Sequence, residues 1–155
     1  SFAPTDSEGK PVANRVQPGK RPRSSMAPTL AFGDQGQLRL VTGSPGGAVI
    51  IQFVVKTLVG MLDWKLNPQQ AVSMIDLGTA NTPTSNVGGE HPLVNTTNDG
   101  ADDPLVKGLR ERGEQVSVDD PSSGLSALRR SGNGWLGGAD PRREGAVMGD
   151  DASLK

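Results

Sequence analysis

The chain has 155 residues, 34% of them hydrophobic and 3% aromatic, with 21 Gly, 12 Pro and a formal net charge of −1. That length holds one domain at most, and Leu, Ile, Val and Phe make up only about a fifth of it, thin apolar mass for a self-sufficient core. The absence of Cys excludes disulfides, thiol catalysis and cysteine-based metal sites, and the near-neutral charge argues against nucleic acid as a main partner.

Residues 1–20 mix Pro, Gly, Lys, Asp and Ser without period and predict an extended surface segment. No cationic, then apolar, then small-residue leader opens the chain, so any leader is expected upstream of Ser1. Thr29 to Phe32 and Leu38 to Val41 are apolar-rich runs around Gly33-Asp34-Gln35-Gly36, a hairpin signal. From Gly47 onward Ile50, Phe53, Val54, Thr57, Leu58, Met61 and Leu62 recur at i, i+3, i+4 spacing and predict a helix with one buried stripe. The apolar run Ala48 to Val55 is broken by Gln52 and stops at Lys56, too short to span a membrane. Asn67-Pro68-Gln69-Gln70 supplies a cap, a first-position Pro and a third-position Gln, predicting a short helix through Ile75.

Residues 78 to 103 are rich in Gly, Asn, Thr, Asp and Pro and predict a long functional or disordered loop. Asp103-Pro104 starts a third helix with Leu105, Val106 and Leu109 on its apolar face and Gly113 as its stop. Val116 to Val118 predicts a short strand, and Leu125 to Arg129 with Trp135 to Ala139 predict a hairpin around Ser131-Gly132-Asn133-Gly134. The expected architecture is α+β, a mixed sheet with helices on one face.

Two blocks could carry chemistry. Gly46 and Gly47 lie between a strand and a helix, where unpaired N–H groups and the helix dipole can hold an anion or a tetrahedral oxyanion. The same glycines also suit a tight strand-to-helix turn. Ser24 and Ser25 precede a strand, where their hydroxyls can meet a ligand carboxylate or bond to local backbone. Lys20, Arg21 and Arg23 read as a solvated face rather than a phosphate site. His91, the only histidine, has no nucleophile-elbow motif beside it, so a Ser-His-Asp triad is not expected. Asp99, Asp102 and Asp103 lack calcium-loop spacing, and Asp103 is expected to be a helix cap. Asn95-Thr96-Thr97 is a formal glycosylation sequon. No cofactor or metal is implied.

The blocks Lys20-Arg21-Pro22-Arg23-Ser24-Ser25-Met26-Ala27-Pro28-Thr29, Leu40-Val41-Thr42-Gly43-Ser44-Pro45-Gly46-Gly47 and Gly138-Ala139-Asp140-Pro141-Arg142 resemble the gamma-glutamyltransferases, or glutathione hydrolases, in the C-terminal part of their small subunit. The resemblance implies part of an αββα N-terminal nucleophile hydrolase sandwich, with residues 21–155 an incomplete portion of the catalytic domain. It implies a precursor that cleaves itself, after which a new N-terminal threonine attacks the gamma-glutamyl amide with its own α-amine as base. Ser24 and Ser25 would hold the glutamyl α-carboxylate, and Gly46 and Gly47 would form the oxyanion hole. The substrate would be glutathione or another gamma-glutamyl compound, with water, an amino acid or a peptide as acceptor. The partners would be the large subunit and the upstream part of the small subunit, in the periplasm or outside the cell.

Only 23 residues precede Ser24, fewer than the several dozen that separate the family's threonine from this block. Ser1 lies too close to serve as nucleophile, so the chain alone is expected to be inactive. The alternatives are a related amidase, such as a cephalosporin or glutaryl acylase, and a non-catalytic binding or scaffold fragment.

Overall fold

A computed structural model describes residues 4–79, 82–88, 98–119 and 123–149. Strands β1 (Thr29–Phe32) and β2 (Leu38–Gly43) form the expected hairpin, Thr29 facing Thr42, with a bulge between Ala31 and Phe32. The chain then makes a 3-10 turn, Gly47–Val49, and continues as helix α1 (Ile50–Leu62), whose apolar period buries Ile50, Phe53, Val54, Thr57 and Met61. Leu62 leaves the stripe and is about half exposed, because the helix ends there. Helix α2 (Pro68–Val72) starts with a full capping box: the Gln70 N–H donates to the Asn67 side chain, and the Asn67 N–H donates to Gln70 Oε1.

Strands β3 (Leu77–Gly78) and β4 (Thr84–Gly88) follow, then helix α3 (Pro104–Glu111), β5 (Gln115–Asp119), β6 (Ser126–Ser131) and β7 (Gly134–Ala139). Asp103 caps α3, accepting from the N–H groups of Leu105 and Val106, as its place before Pro104 predicts.

Three expectations need correction. The strands do not form one mixed sheet. An antiparallel sheet runs β1-β2-β6-β7, and a separate small sheet runs β3-β4-β5 with β4 parallel to β5. Parallel pairing needs a crossover, and α3 supplies it. Residues 78 to 103 are therefore not simply a loop, since they contain β4, whose single apolar side chain, Val87, gave little signal. Helix α2 stops at Val72, short of Ile75, because the chain turns there to bury Asp76.

The main core lies between one face of the four-stranded sheet and helices α1 and α2: Leu40 and Ala127 pack with Phe53, Met61, Ala71, Val72 and Leu125. A smaller core of Val87, Val106 and Val116 joins α3 to the second sheet. Gln69 ties α2 to β7, donating from Nε2 to the Ala139 carbonyl and accepting the Ala139 N–H at Oε1. Residues 4–20 form a run of exposed turns, with Asp6 Oδ1 accepting from the N–H groups of Glu8 and Lys10.

Candidate functional site

Antiparallel pairing of Thr29 with Thr42 fixes where the two candidate blocks go. The chain before Thr29 and the chain after Thr42 leave the sheet at the same end, and Pro28 lies against Gly43, 4.0 Å from where a β-carbon would stand. Ser25 and Gly46 each lie four residues beyond the Thr29–Thr42 pair. Four extended residues reach only about 14 Å, so each block begins within that chain length of the same end of the sheet.

Ser24 is exposed and Ser25 half-buried; Ser24 Oγ accepts the Met26 N–H at 3.2 Å, a local turn that leaves the hydroxyl proton available. Gly46 caps the 3-10 turn at φ 144°, and Gly47 opens it at φ 60°. A β-carbon on Gly46 would stand 2.5 Å from Phe53 Cε2, so the turn sits directly on the buried ring of α1. Nothing lies within 4 Å of the corresponding position on Gly47, which faces open space. Exposed amides at the start of a helix are the arrangement that binds anionic oxygen.

A cleft of about 690 Å³, lined by Pro28, Val41, Gly43, Gly124, Leu128 and Val147 among others, includes none of these four residues. Arg21 and Arg23 are exposed, and Lys20 Nζ donates to the Ala13 carbonyl. Asp99 pairs with Arg110 at 2.5 Å and accepts the Val118 N–H at 3.2 Å, which makes it a structural tie. No group of three or more metal-ligating side chains occurs among the described residues. Ser1, His91 and the sequon at Asn95 lie outside them.

Sequence reasoning missed a buried ionic network. Asp76, fully buried, accepts from Lys56 Nζ at 2.6 Å and lies 3.4 Å from Arg142 Nε. Arg142 also reaches Asp140 at 3.0 Å and the carbonyls of Val72 and Met74. Asp140, 2% exposed, accepts from the Ser123 hydroxyl and from the N–H groups of Leu125 and Arg142. Two cations face two carboxylates, so the cluster is neutral in sum. Burial pushes the Lys56 ammonium below the usual 10.5, against the pull of Asp76. Burial acts to raise the Asp140 pKa, but hydrogen bonds from Ser123, Arg142 and Leu125 outweigh it and hold the carboxyl below the ordinary 3.8. The signal available in sequence was Lys56 inside an apolar run, and the Asp140-Pro141-Arg142 block noted only as a resemblance.

Residues 1–150 match the family model for gamma-glutamyltranspeptidase. The chain belongs to that family. A glutathione hydrolase proenzyme of Escherichia coli (strain K12) is 49% identical over 61 residues, covering 39% of this chain and 10% of the relative. A glutathione hydrolase of Aspergillus flavus is 26% identical over 144 residues, covering 92% of this chain and 23% of the relative. This gamma-glutamyltranspeptidase family chain thus spans between about a tenth and a quarter of the length of those curated relatives. Among solved structures, a gamma-glutamyltranspeptidase from Pseudomonas nitroreducens, complexed with L-DON, superposes with a TM-score of 0.74 at 24% identity. That match covers 97% of this chain and 76% of the other, and gives the α+β N-terminal nucleophile hydrolase fold. No helix of the described residues is long and apolar enough to cross a membrane.

Proposed function

We propose that this chain supplies the carboxylate-binding and oxyanion-binding elements of an enzyme that cleaves gamma-glutamyl amides such as glutathione. The observation that carries the reading is the β1–β2 register, which brings Ser24-Ser25 and Gly46-Gly47 to one end of the sheet in a chain of this family. The nucleophilic threonine and the residues that grip the substrate amine belong upstream of Ser1, in the small subunit, and the large subunit completes the enzyme. The periplasm or the cell exterior is the proposed location.

In this reading the threonine Oγ attacks the gamma-carbonyl carbon while the threonine α-amine takes the hydroxyl proton. The carbonyl oxygen becomes an oxyanion and is met by the Gly46 and Gly47 N–H groups, which cost no reorganisation because the turn is already fixed on Phe53. Collapse breaks the amide bond, the proton passes to the departing amine, and water or an amino acid then takes the glutamyl group from the threonine ester. Ser24 and Ser25 donate to the glutamyl α-carboxylate, which is distant from the reacting carbon, so they act on binding and register.

The test uses the complete two-subunit enzyme, with release of p-nitroaniline from gamma-glutamyl-p-nitroanilide compared with release from 4-aminobutyryl-p-nitroanilide, which lacks the α-carboxylate, and from glutaryl-p-nitroanilide, which lacks only the α-amine. Hydrogen bonds to a charged group are worth roughly 1.5–3 kcal/mol each. Ser24→Ala combined with Ser25→Ala is therefore expected to raise KM for the gamma-glutamyl substrate more than about tenfold. It should leave the 4-aminobutyryl substrate, which lacks that carboxylate, unaffected. An unchanged KM removes the carboxylate role, and preference for the glutaryl substrate replaces the reading with an acylase.

A further inference from the structure

The buried carboxylate of Asp140 is connected to the Gly46–Gly47 turn by a short chain of contacts. Asp140 Oδ2 accepts from the Ser123 hydroxyl and from the Leu125 N–H, so one oxygen holds both residues that flank Gly124. Arg143 Nε donates to the Ser123 carbonyl at 3.0 Å from the outer side. The Gly124 N–H in turn donates to Ser44 Oγ at 3.1 Å, and Ser44 Oγ donates to the Pro45 carbonyl at 2.6 Å. A β-carbon on Gly124 would stand 2.7 Å from both Pro45 Cγ and Arg143 Cδ, so this segment is pressed directly against the residue preceding Gly46. On the far side the turn rests on Phe53, and the Ile50 N–H closes it by donating to the Gly47 carbonyl. The turn is thus clamped between the α1 ring beneath it and a strand-entry segment whose own position is set by Asp140.

From this geometry we infer that Asp140 is a positioning residue, which through Ser123, Gly124 and Ser44 sets the direction of the Gly46 and Gly47 amides. The inference rests on the oxyanion reading above for its catalytic consequence, though not for the mechanical link. Asp140 touches no reacting atom. Its carboxylate suits the task because an ionised carboxylate accepts several hydrogen bonds at once, and the donors present keep it ionised at neutral pH. Donors that stabilise an oxyanion must lie within a few tenths of an ångström of the right place, and displacement of about 1 Å by a remote change can cost roughly a hundredfold in rate.

Ser44→Ala is the mildest cut, since it removes one hydroxyl on a half-buried loop and leaves the ionic network intact. In the complete processed enzyme it is expected to lower kcat about tenfold with KM within twofold, because the oxyanion exists only past the ground state. Exchange of the Ile50 amide hydrogen should quicken at least tenfold while the melting temperature stays within a few degrees, and Ser44→Thr should restore both. Ser123→Ala cuts the chain one step earlier and should give the same pattern. If either kcat or Ile50 exchange remains at the wild-type value in Ser44→Ala, or if KM rises in step with the fall in kcat, the proposal is overturned. Quickened exchange in a protein that releases nothing from gamma-glutamyl substrates removes the catalytic reading and leaves the mechanical link standing.

Discussion

Gly46 and Gly47 are adjacent and share a positive φ, yet they stand under different constraints. At Gly46, φ of 144° is compounded by the Phe53 ring, 2.5 Å from where a β-carbon would go, and Phe53 is only 1% exposed and held by the main core. A methyl group there must displace a packed aromatic ring while adopting a backbone conformation that L side chains rarely take; overpacking and backbone strain each cost on the order of 1–3 kcal/mol. At Gly47, φ of 60° lies in the ordinary left-handed well and the space around it is open, so only the left-handed cost of about 1–2 kcal/mol applies. Gly46→Ala is therefore expected to destabilise the protein at least twice as much as Gly47→Ala. Parallel thermal melts check this, and equal losses would mean that Phe53 yields without cost.

At the scale of elements, what binds α1, α2, β6 and β7 into one unit is not apolar contact alone. The Lys56–Asp76–Arg142–Asp140 cluster ties the middle of α1 to the turn after α2 and to the turn after β7. Removing one partner from a buried ion pair leaves an uncompensated charge, at a cost of about 3 kcal/mol or more. Asp140→Asn is such a change, for it replaces an acceptor of several donors with a group that must itself donate. Because the folded Asp140 holds its proton less tightly than the usual 3.8, the stability it gives is present above that value and disappears as pH falls through its lower folded value. Urea titrations should find the variant about 3 kcal/mol or more weaker at pH 7, with the gap to wild type narrowing only below about pH 4. A gap constant down to pH 2 would show that the charge of Asp140 is not what matters.

This cluster also marks where sequence reading stopped. Period and capping made β1, β2, α1, α3, β6 and β7 legible, since each carries its own signal: an apolar alternation, a stripe from Ile50 to Met61, or Asp103 before Pro104. The serine and glycine blocks were legible as residue types at strand and helix ends, and the hairpin register by which both leave the sheet at one end follows from the Gly33–Gly36 turn between them. Strand β4 was not legible, because Thr84-Ser85-Asn86 is polar and its partner β5 lies 31 residues away in the Thr84–Gln115 register. Nor was the pairing of Asp76 with Lys56, 20 residues earlier, since nothing local predicts which charges fold inward together.

At the scale of the whole molecule, the helices among the described residues that pack on the four-stranded sheet lie on one of its faces. Direct cross-strand partners share a face, so Leu30, Val41, Leu128 and Gly137 form one row, opposite the row of Ala31, Leu40 and Arg129 that faces the helices. The helix-side row holds Leu40 at 1% exposure, whereas Leu30 and Leu128 on the other side are 58% and 44% exposed, with Val147 laid across Gly137. In a sandwich of the N-terminal nucleophile hydrolase type, such a face stacks on a second sheet about 10 Å away. A bare apolar sheet face with β1 at its edge favours self-association when that second sheet is missing. Leu30→Lys in the 155-residue chain places a charge on this row near the edge, where it need not be desolvated. It is expected to reduce binding of an apolar fluorescent dye and shift the chain toward monomer in sedimentation, with stability changed by less than about 0.5 kcal/mol. The same substitution in the two-subunit enzyme proposed above should destabilise by about 2 kcal/mol or more, since stacking would bury the charge without a partner. Equal effects in the two settings would place this face on the outside of the assembled enzyme and put the stacking surface elsewhere.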